Sequence, residues 1–391
     1  MTEGVWAELQ GQETIVEILQ RAAREQTPAH AWLFTGPPGS GRSNAAKAFA
    51  AALNCEQPDP ARRGCGHCQA CRTILAGTHP DVTFVATEKT TIAIDEAREL
   101  VTRAQDRPAN ARWRVMIIGD ADRMAERTTN VLLKAIEEPP PRTVWILCTP
   151  SPADVLVTIR SRCRMIGLRV PPVEAVAALL VSRDGIDPET ARQAAHAAQS
   201  HVGIARRLAQ DAEARARREA IVRLPLSLRS VPRAMRAAAE LMELATEEAN
   251  ASNEERDAVE KEALLRALGA PETGTLPPSV RAQVRRLEED QKRRSKRSVT
   301  DTLDRALTDL LSFYRDVLLV QLGSIRPDQG SDIDHTLVNQ ALVQELTAFA
   351  GQGSPEQTLR RIESINAVRK RLVSSNVAPL LALEAMAVSL L

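Results

Sequence analysis

Four short apolar runs punctuate the first 170 positions, each long enough for one strand. They are Trp32–Thr35, which stops at Gly36, then Val82–Val85, Trp113–Ile118 and Val144–Cys148. Unbroken apolar runs bounded by turn residues suit parallel strands buried on both faces. Between them the apolar period lengthens to that of a helix over 43–53, 94–104 and 127–138, the last closed by Pro139-Pro140-Pro141, which cannot continue it. This alternation predicts an α/β domain with a parallel sheet over 1–169. After Pro171-Pro172 the pattern shortens into Ala-rich helices, read as a small helical domain over 170–213. From 214 to 391 it is helical throughout, with one departure at about 243–298. That stretch opens acidic (Glu247, Glu248, Glu254, Glu255, Asp257, Glu260), crosses Gly269–Pro278, and closes on Lys292, Arg293, Arg294, Lys296 and Arg297. It reads as an insertion, either partly disordered or a solvated helical hairpin. No internal repeat is visible.

Composition refines this picture only slightly. A chain of 391 residues exceeds one ordinary domain, and an aromatic content of 3% beside abundant Ala, Leu and Arg favours helix over sheet for much of it. A formal net charge of +1 gives no global field toward nucleic acid, so any such contact must come from a local patch. With no apolar run of about 18 residues and no signal-peptide pattern at the N-terminus, the expectation is a cytoplasmic protein without a membrane segment.

The first candidate site is Gly36-Pro37-Pro38-Gly39-Ser40-Gly41-Arg42-Ser43, between a strand and a helix. Phosphate-binding loops stand in that context, because glycines let backbone N–H groups turn inward at the positive end of a helix. Every position fits G-x-x-x-x-G-K-[ST] except Arg42, which stands where lysine belongs. Lysine is a compact charge that slips between terminal phosphates, whereas a planar guanidinium needs a different pocket. The loop residues Gly36, Gly39, Gly41, Arg42 and Ser43 are therefore candidate ATP or ADP contacts in a degenerate site. The partner element of such a site is an apolar strand ending in Asp-Glu, for magnesium and for water. Here Val115–Ile118 leads into Gly119-Asp120, which puts glycine at the metal position and a short acid at the other. Two defects in one site argue against hydrolysis.

Cys55, Cys65, Cys68 and Cys71 form the second candidate site, spaced C-x9-C-x2-C-x2-C. Four thiolates in one short excursion suit tetrahedral Zn²⁺, and a full protein ligand set marks a structural ion. Clustering of this kind in a large chain without a signal peptide points to metal rather than disulfides. His67 lies inside the cluster, but four cysteines suffice. Cys148 and Cys163 read as small packing residues.

Taken together, these features resemble the bacterial DNA polymerase III clamp loader, an AAA+ family. The carriers are the phosphate loop preceding a cysteine cluster, the run Asn130–Pro140, the triplet Ser161-Arg162-Cys163 and the terminal stretch Asn376–Glu384. The resemblance covers about 1–215 and 300–391. It implies an AAA+ α/β domain carrying a zinc module at 55–71, a helical lid and an all-α collar for oligomerisation. Motor subunits of that family keep the lysine and the Asp-Glu pair, whereas the delta-prime member commonly loses one or both, as this chain has. The resemblance also implies that Arg162 projects into a neighbour's ATP site as an arginine finger in trans, aimed by Ser161 and Cys163. Gly203 stands where motors place a phosphate-sensing arginine, with Arg206 one turn away. Arg98 and Arg103, on the 94–104 helix, are the implied contacts with primer-template DNA; Asp95, Glu96 and Glu99 offer them ion pairs instead. The implied partners are tau/gamma and delta subunits in a hetero-pentamer, and through it the sliding clamp and DNA. Two other readings stand beside this one: an active motor ATPase that tolerates Arg42 and Asp120, and a separate zinc-containing nucleic-acid-binding module.

Overall fold

The computed structural model describes residues 4–85, 91–267, 277–324, 337–374 and 377–391. They form two compact units, Met1–Gln210 and Asp211–Leu391.

The first unit is built on five parallel strands: β1 (Ala31–Thr35), β2 (Val82–Val85), β3 (Arg114–Ile118), β4 (Thr143–Thr149) and β5 (Arg164–Gly167). Their order across the sheet is β2-β3-β4-β1-β5. Helices α1 (Glu13–Arg24), α2 (Arg42–Asn54), α3 (Gln69–Leu75), α4 (Ile94–Gln105), α5 (Glu126–Glu137) and α6 (Val157–Arg160) surround or connect the strands. Helices α7 (Val173–Asp184), α8 (Pro188–Ala197) and α9 (Val202–Gln210) follow. Side chains alternate across a strand, so the sheet divides two cores. Trp32, Phe34, Val115, Ile117 and Ile146 pack with Phe49 and the alanines of α2 on one face. Leu33, Met116, Ile118, Trp145 and Leu147 pack with Leu100, Leu132 and Ile136 on the other. Every residue of β1, β3 and β4 is buried, which explains why these strands read as unbroken apolar runs. Strand β5 does not: it borders only β1, and of its four residues only Ile166 is buried.

The second unit is helical: α10 (Ala212–Ser227), α11 (Val231–Ala267), α12 (Pro278–Gln321), α13 (Val343–Ala350), α14 (Pro355–Ser374) and α15 (Pro379–Ser389). Leu307, Leu310, Phe313, Tyr314, Val317, Leu346, Ile365 and Leu383 fill its core. Phe313 and Tyr314 meet edge to face at 5.4 Å between ring centroids. The charged stretch forms the outer parts of α11 and α12, which run antiparallel. Lys261 Nζ meets Glu288 Oε1 at 2.7 Å, and Gln291 Nε2 donates to the Asp257 carbonyl at 3.1 Å. Its Gly/Pro-rich centre, 268–276, and Asn376 of the terminal motif lie outside the described residues. The architecture is thus the α/β domain with a parallel sheet and the helical C-terminal region that the sequence led us to expect.

Candidate functional site: a phosphate loop, a cysteine knot and an edge arginine

Strand β1 ends at Thr35 and the chain turns through the phosphate loop into α2. Gly39 and Gly41 sit at φ 86° and 85°, a region that glycine enters without cost. A side chain at Gly39 would also press on His201, 3.0 Å away. The loop lines a cleft of about 440 Å³, closed on the other side by α7 and α9 through Leu179, Arg183, His201, Gly203 and Arg206. Gln12 ties the loop to the end of β5: its Nε2 donates to the carbonyls of Ser40 (3.4 Å) and Arg169, and its Oε1 accepts from Arg169 N–H (3.3 Å).

Arg42 is among the residues that line this cleft, but it also folds back on the loop. Its Nη1 donates to the carbonyl of Gly36, so the guanidinium bends back over the loop that precedes it. Burial pulls its pKa down, opposed by the nearby Cys148, Asp122, Asp120 and Asp154. Gly119 follows β3 and donates its N–H to Val85 O at 2.7 Å; it carries no side chain for a metal. Asp122, beyond it, has its pKa raised, first by burial and then by Asp120. The hydroxyl of Ser40 is buried with no hydrogen-bond partner. Arg206 Nε lies 3.2 Å from Asp184, so the arginine nearest to Gly203 is already paired.

At the other end of α2 the four cysteines converge. Their sulfurs all lie within 4.8 Å of one another. Cys55 and Cys65 are 3.6 Å apart and Cys55 and Cys68 4.0 Å. A tetrahedral zinc site with Zn–S bonds of about 2.3 Å has S···S edges of about 3.8 Å, and a disulfide would bring the atoms to about 2.05 Å. The donors therefore fit a metal, and all six cysteines are free. Backbone N–H groups of Cys68 and Cys71 donate to the sulfurs of Cys65 and Cys68, both at 3.4 Å. Burial pushes the Cys71 thiol up. It acts in the same direction on Cys65, but N–H donation from Cys68 and His67 overrides it and brings that thiol down to about 6. His67 is exposed, its ring bonded to Cys65 O at 3.0 Å, and stands apart from the sulfur cluster. Val5 and Trp6 of the N-terminal turn pack in the same core as Cys55 and Cys71, and Val5 N–H donates to Gly64 O at 3.0 Å.

Arg162 follows the single turn of α6 and is exposed. Its Nη1 donates to Thr158 O at 2.8 Å and its Nη2 pairs with Glu137 Oε1 at 2.7 Å, where α5 ends. Two elements therefore hold it at the edge of the sheet. Cys163 behind it is partly buried against the α4/α5 core.

Residues 11–172 match the family described as DNA polymerase III, delta subunit. The delta-prime subunit of DNA polymerase III from Escherichia coli is 37% identical over 157 residues, 40% of this chain and 46% of that protein. The tau subunit from Bacillus subtilis is 37% identical over 154 residues, 39% of this chain and 27% of that one. A gamma/tau subunit from Mycobacterium tuberculosis is 35% identical over 176 residues, 45% and 30% of the two chains. Over this N-terminal segment the chain is similar to clamp-loader subunits of the DNA polymerase III type. The matched segment spans less than half the length of each of these relatives, which include tau, gamma/tau and delta-prime subunits.

Arg98 and Arg103 lie exposed on α4, where each is engaged by its own helix. Arg98 pairs with Asp95 at 3.1 Å and Arg103 with Glu99 at 2.6 Å. Such exposed pairs are weak, typically about 0.3–0.5 kcal/mol on a helix. Gln12, His201 and Glu137 escaped the sequence reading. Each belongs to a site through a contact distant in sequence, and nothing in its neighbourhood marks it.

Proposed function

We propose that this chain is the non-hydrolysing, delta-prime-like subunit of the clamp loader, and that it donates Arg162 to the ATP site of a neighbouring motor. The observation that carries this reading is Arg42, folded onto Gly36 O. The cation of the loop is held by the loop's own backbone in place of a lysine's compact ammonium, and the position that would hold magnesium is Gly119. The backbone cradle of Gly36, Gly39, Gly41 and Ser43 and the 440 Å³ cleft leave room for a nucleotide to lodge; what is missing is the means to break it down.

Arg162 supplies chemistry elsewhere. A guanidinium reaching a neighbour's γ-phosphate offsets the charge that grows on its oxygens during transfer. The bond to Glu137 is exposed enough to be exchanged for that contact. Cys55, Cys65, Cys68 and Cys71 hold a structural Zn²⁺ with no open position, so the ion orders the 55–71 excursion and takes no part in hydrolysis. The second unit acts as a collar among tau/gamma and delta partners in the cytoplasm. The assembled ring loads the sliding clamp on primed DNA, with Arg98 and Arg103 touching the phosphate backbone.

The test is reconstitution. With Arg162→Ala the isolated chain keeps its fold and melting temperature, while ATP turnover by the assembled loader falls. Unchanged turnover removes the finger. Nucleotide turnover by the purified chain alone would instead favour the motor reading.

A further inference from the structure

A second cavity of the first unit lies beside the cysteine knot; it shares Cys55 with the knot and no lining residue with the phosphate-loop cleft. It encloses about 550 Å³, within the range of small-ligand pockets. Arg63, Arg112, Gln57, Gln69, Thr73 and His79 are among its lining residues. Its charge balance is unusual. Arg63 uses Nη1 to donate to Ala23 O at 2.7 Å, and Arg112 uses Nη2 to donate to Cys55 O at 2.7 Å. Neither has a carboxylate partner among the described residues. Arg63 Nε is buried with no acceptor at all. The two guanidinium groups are close enough to repel one another.

Buried or half-buried arginines normally sit in ion pairs, because an unpaired charge and an unsatisfied donor are both costly. Arg114 and Arg183 of this unit follow that rule, meeting Asp81 and Asp184. Glu56 is the one acid lining the cavity. It is exposed, one of its oxygens accepts from Ala70 N–H at 3.2 Å, and it pairs with neither arginine. His79 adds a donor. Its Nδ1 accepts from Asp81 N–H at 3.1 Å, so the proton of the neutral ring sits on Nε2. Burial lowers its pKa, opposed by Asp81 and Glu56. Two cations with unused N–H groups, one further donor and a cavity too large for a single chloride ion together call for a multivalent oxyanion. Phosphate fits best: it carries enough charge for two guanidinium groups and enough acceptors for their planar forks.

We propose that the cavity between Arg63 and Arg112 binds a phosphate group, from a small phosphate-bearing anion or from a nucleic-acid backbone. The site is separate from the phosphate loop, which lines a different cleft, and stands whether or not the chain hydrolyses ATP. Binding there would place a ligand against the carbonyl of Cys55 and so against the metal knot.

The probes are inorganic pyrophosphate and a short single-stranded oligothymidylate, each compared with sodium chloride at equal ionic strength, on the full metal-loaded chain. At least one is expected to raise the melting temperature saturably. Arg63→Gln and Arg112→Gln should each weaken that ligand at least tenfold while zinc content stays the same. Loss of the pyrophosphate response assigns the site to a small anion, and loss of the oligonucleotide response to a backbone phosphate. If the variants keep the full response, or neither probe exceeds chloride, the proposal is wrong. A second measurement needs no variant. The bound probe should protect Arg63 and Arg112 of the wild-type chain from phenylglyoxal, read by peptide mass, and equal labelling with and without probe would overturn the site independently.

Discussion

One helix, α2, joins four convergent thiols at one end to a phosphate loop with arginine at its lysine position at the other. At its C-terminal end the chain is closely satisfied. Asn54 donates to Trp113 O and accepts from Trp113 N–H, at 3.0 and 2.9 Å, and the next residue is Cys55 of the four-sulfur knot. At its N-terminal end Ser40 keeps a buried hydroxyl without a partner and Arg42 is turned onto its own loop. A metal site depends on a few donor atoms of the right kind at the right distance, and one lost thiol ends it. A phosphate loop is mostly backbone, so its shape can survive after its chemistry has gone. Resemblance of shape at the loop therefore says little about turnover, whereas four convergent thiols say a good deal about metal.

The largest expected effect is at the knot. Structural zinc can contribute on the order of 10–16 kcal/mol to small peptide folds. Chelation, or Cys71→Ser, should lower the melting temperature of the first unit by well over 10 °C (an effect of roughly several kcal/mol), followed by calorimetry with zinc content measured in parallel. An unchanged melt after metal removal would dissolve the contrast between the two ends. Next comes Arg162→Ala, expected to slow hydrolysis in the reconstituted loader by about 10³-fold, with little rescue by lysine, which lacks the planar fork.

Third is Asp81, whose carboxylate lies buried near the knot end of α2. It accepts the N–H groups of Ala109, Asn110 and Ala111 at 2.8–2.9 Å and pairs with Arg114 at 3.2 Å. Burial acts to raise its pKa, but these three N–H groups and Arg114 outweigh it and hold the acid below its ordinary value. Its stabilisation is therefore fully present above the unfolded pKa of about 3.9 and lost as pH falls through the lower folded value. Asp81→Asn should cost roughly 3–5 kcal/mol at neutral pH and flatten the melting curve's dependence on pH below about 4. A variant as acid-sensitive as the wild type would exclude Asp81 as the cause.

The smallest effect is a repair. Arg42→Lys with Gly119→Asp should release Gly36 O, restore a metal acid and strengthen Mg·ATP binding about tenfold, about 1.4 kcal/mol. Isothermal titration would read it, and no change would mean that the loop is spoiled by something other than these two positions.

Legibility in the sequence followed burial and motif. Strands β1, β3 and β4 could be read because the residues facing each helix layer are nearly all apolar. Strand β5 could not, since Arg164, Met165 and Gly167 of an edge strand carry no apolar run, and Arg164 instead stacks over Trp32 at 4.9 Å. The long helices α11 and α12 were half hidden, because a solvated hairpin and a disordered acidic-basic stretch share one composition. At the sites the cysteine spacing was enough to bring four sulfurs together. The partners of Arg42 and Arg162 were not legible. Gly36 O is a backbone atom, and Glu137 is 25 residues from Arg162 (162 − 137) and meets it only because α5 and α6 end side by side.

The most direct measurement is steady-state ATP hydrolysis by the purified, zinc-loaded chain without partners, with magnesium and primed DNA present. We predict no turnover above a denatured control, whether or not nucleotide binds. Turnover at the rate of a clamp-loader motor would mean that Arg42 and Asp120 suffice, and the assignment as a supporting subunit would be wrong.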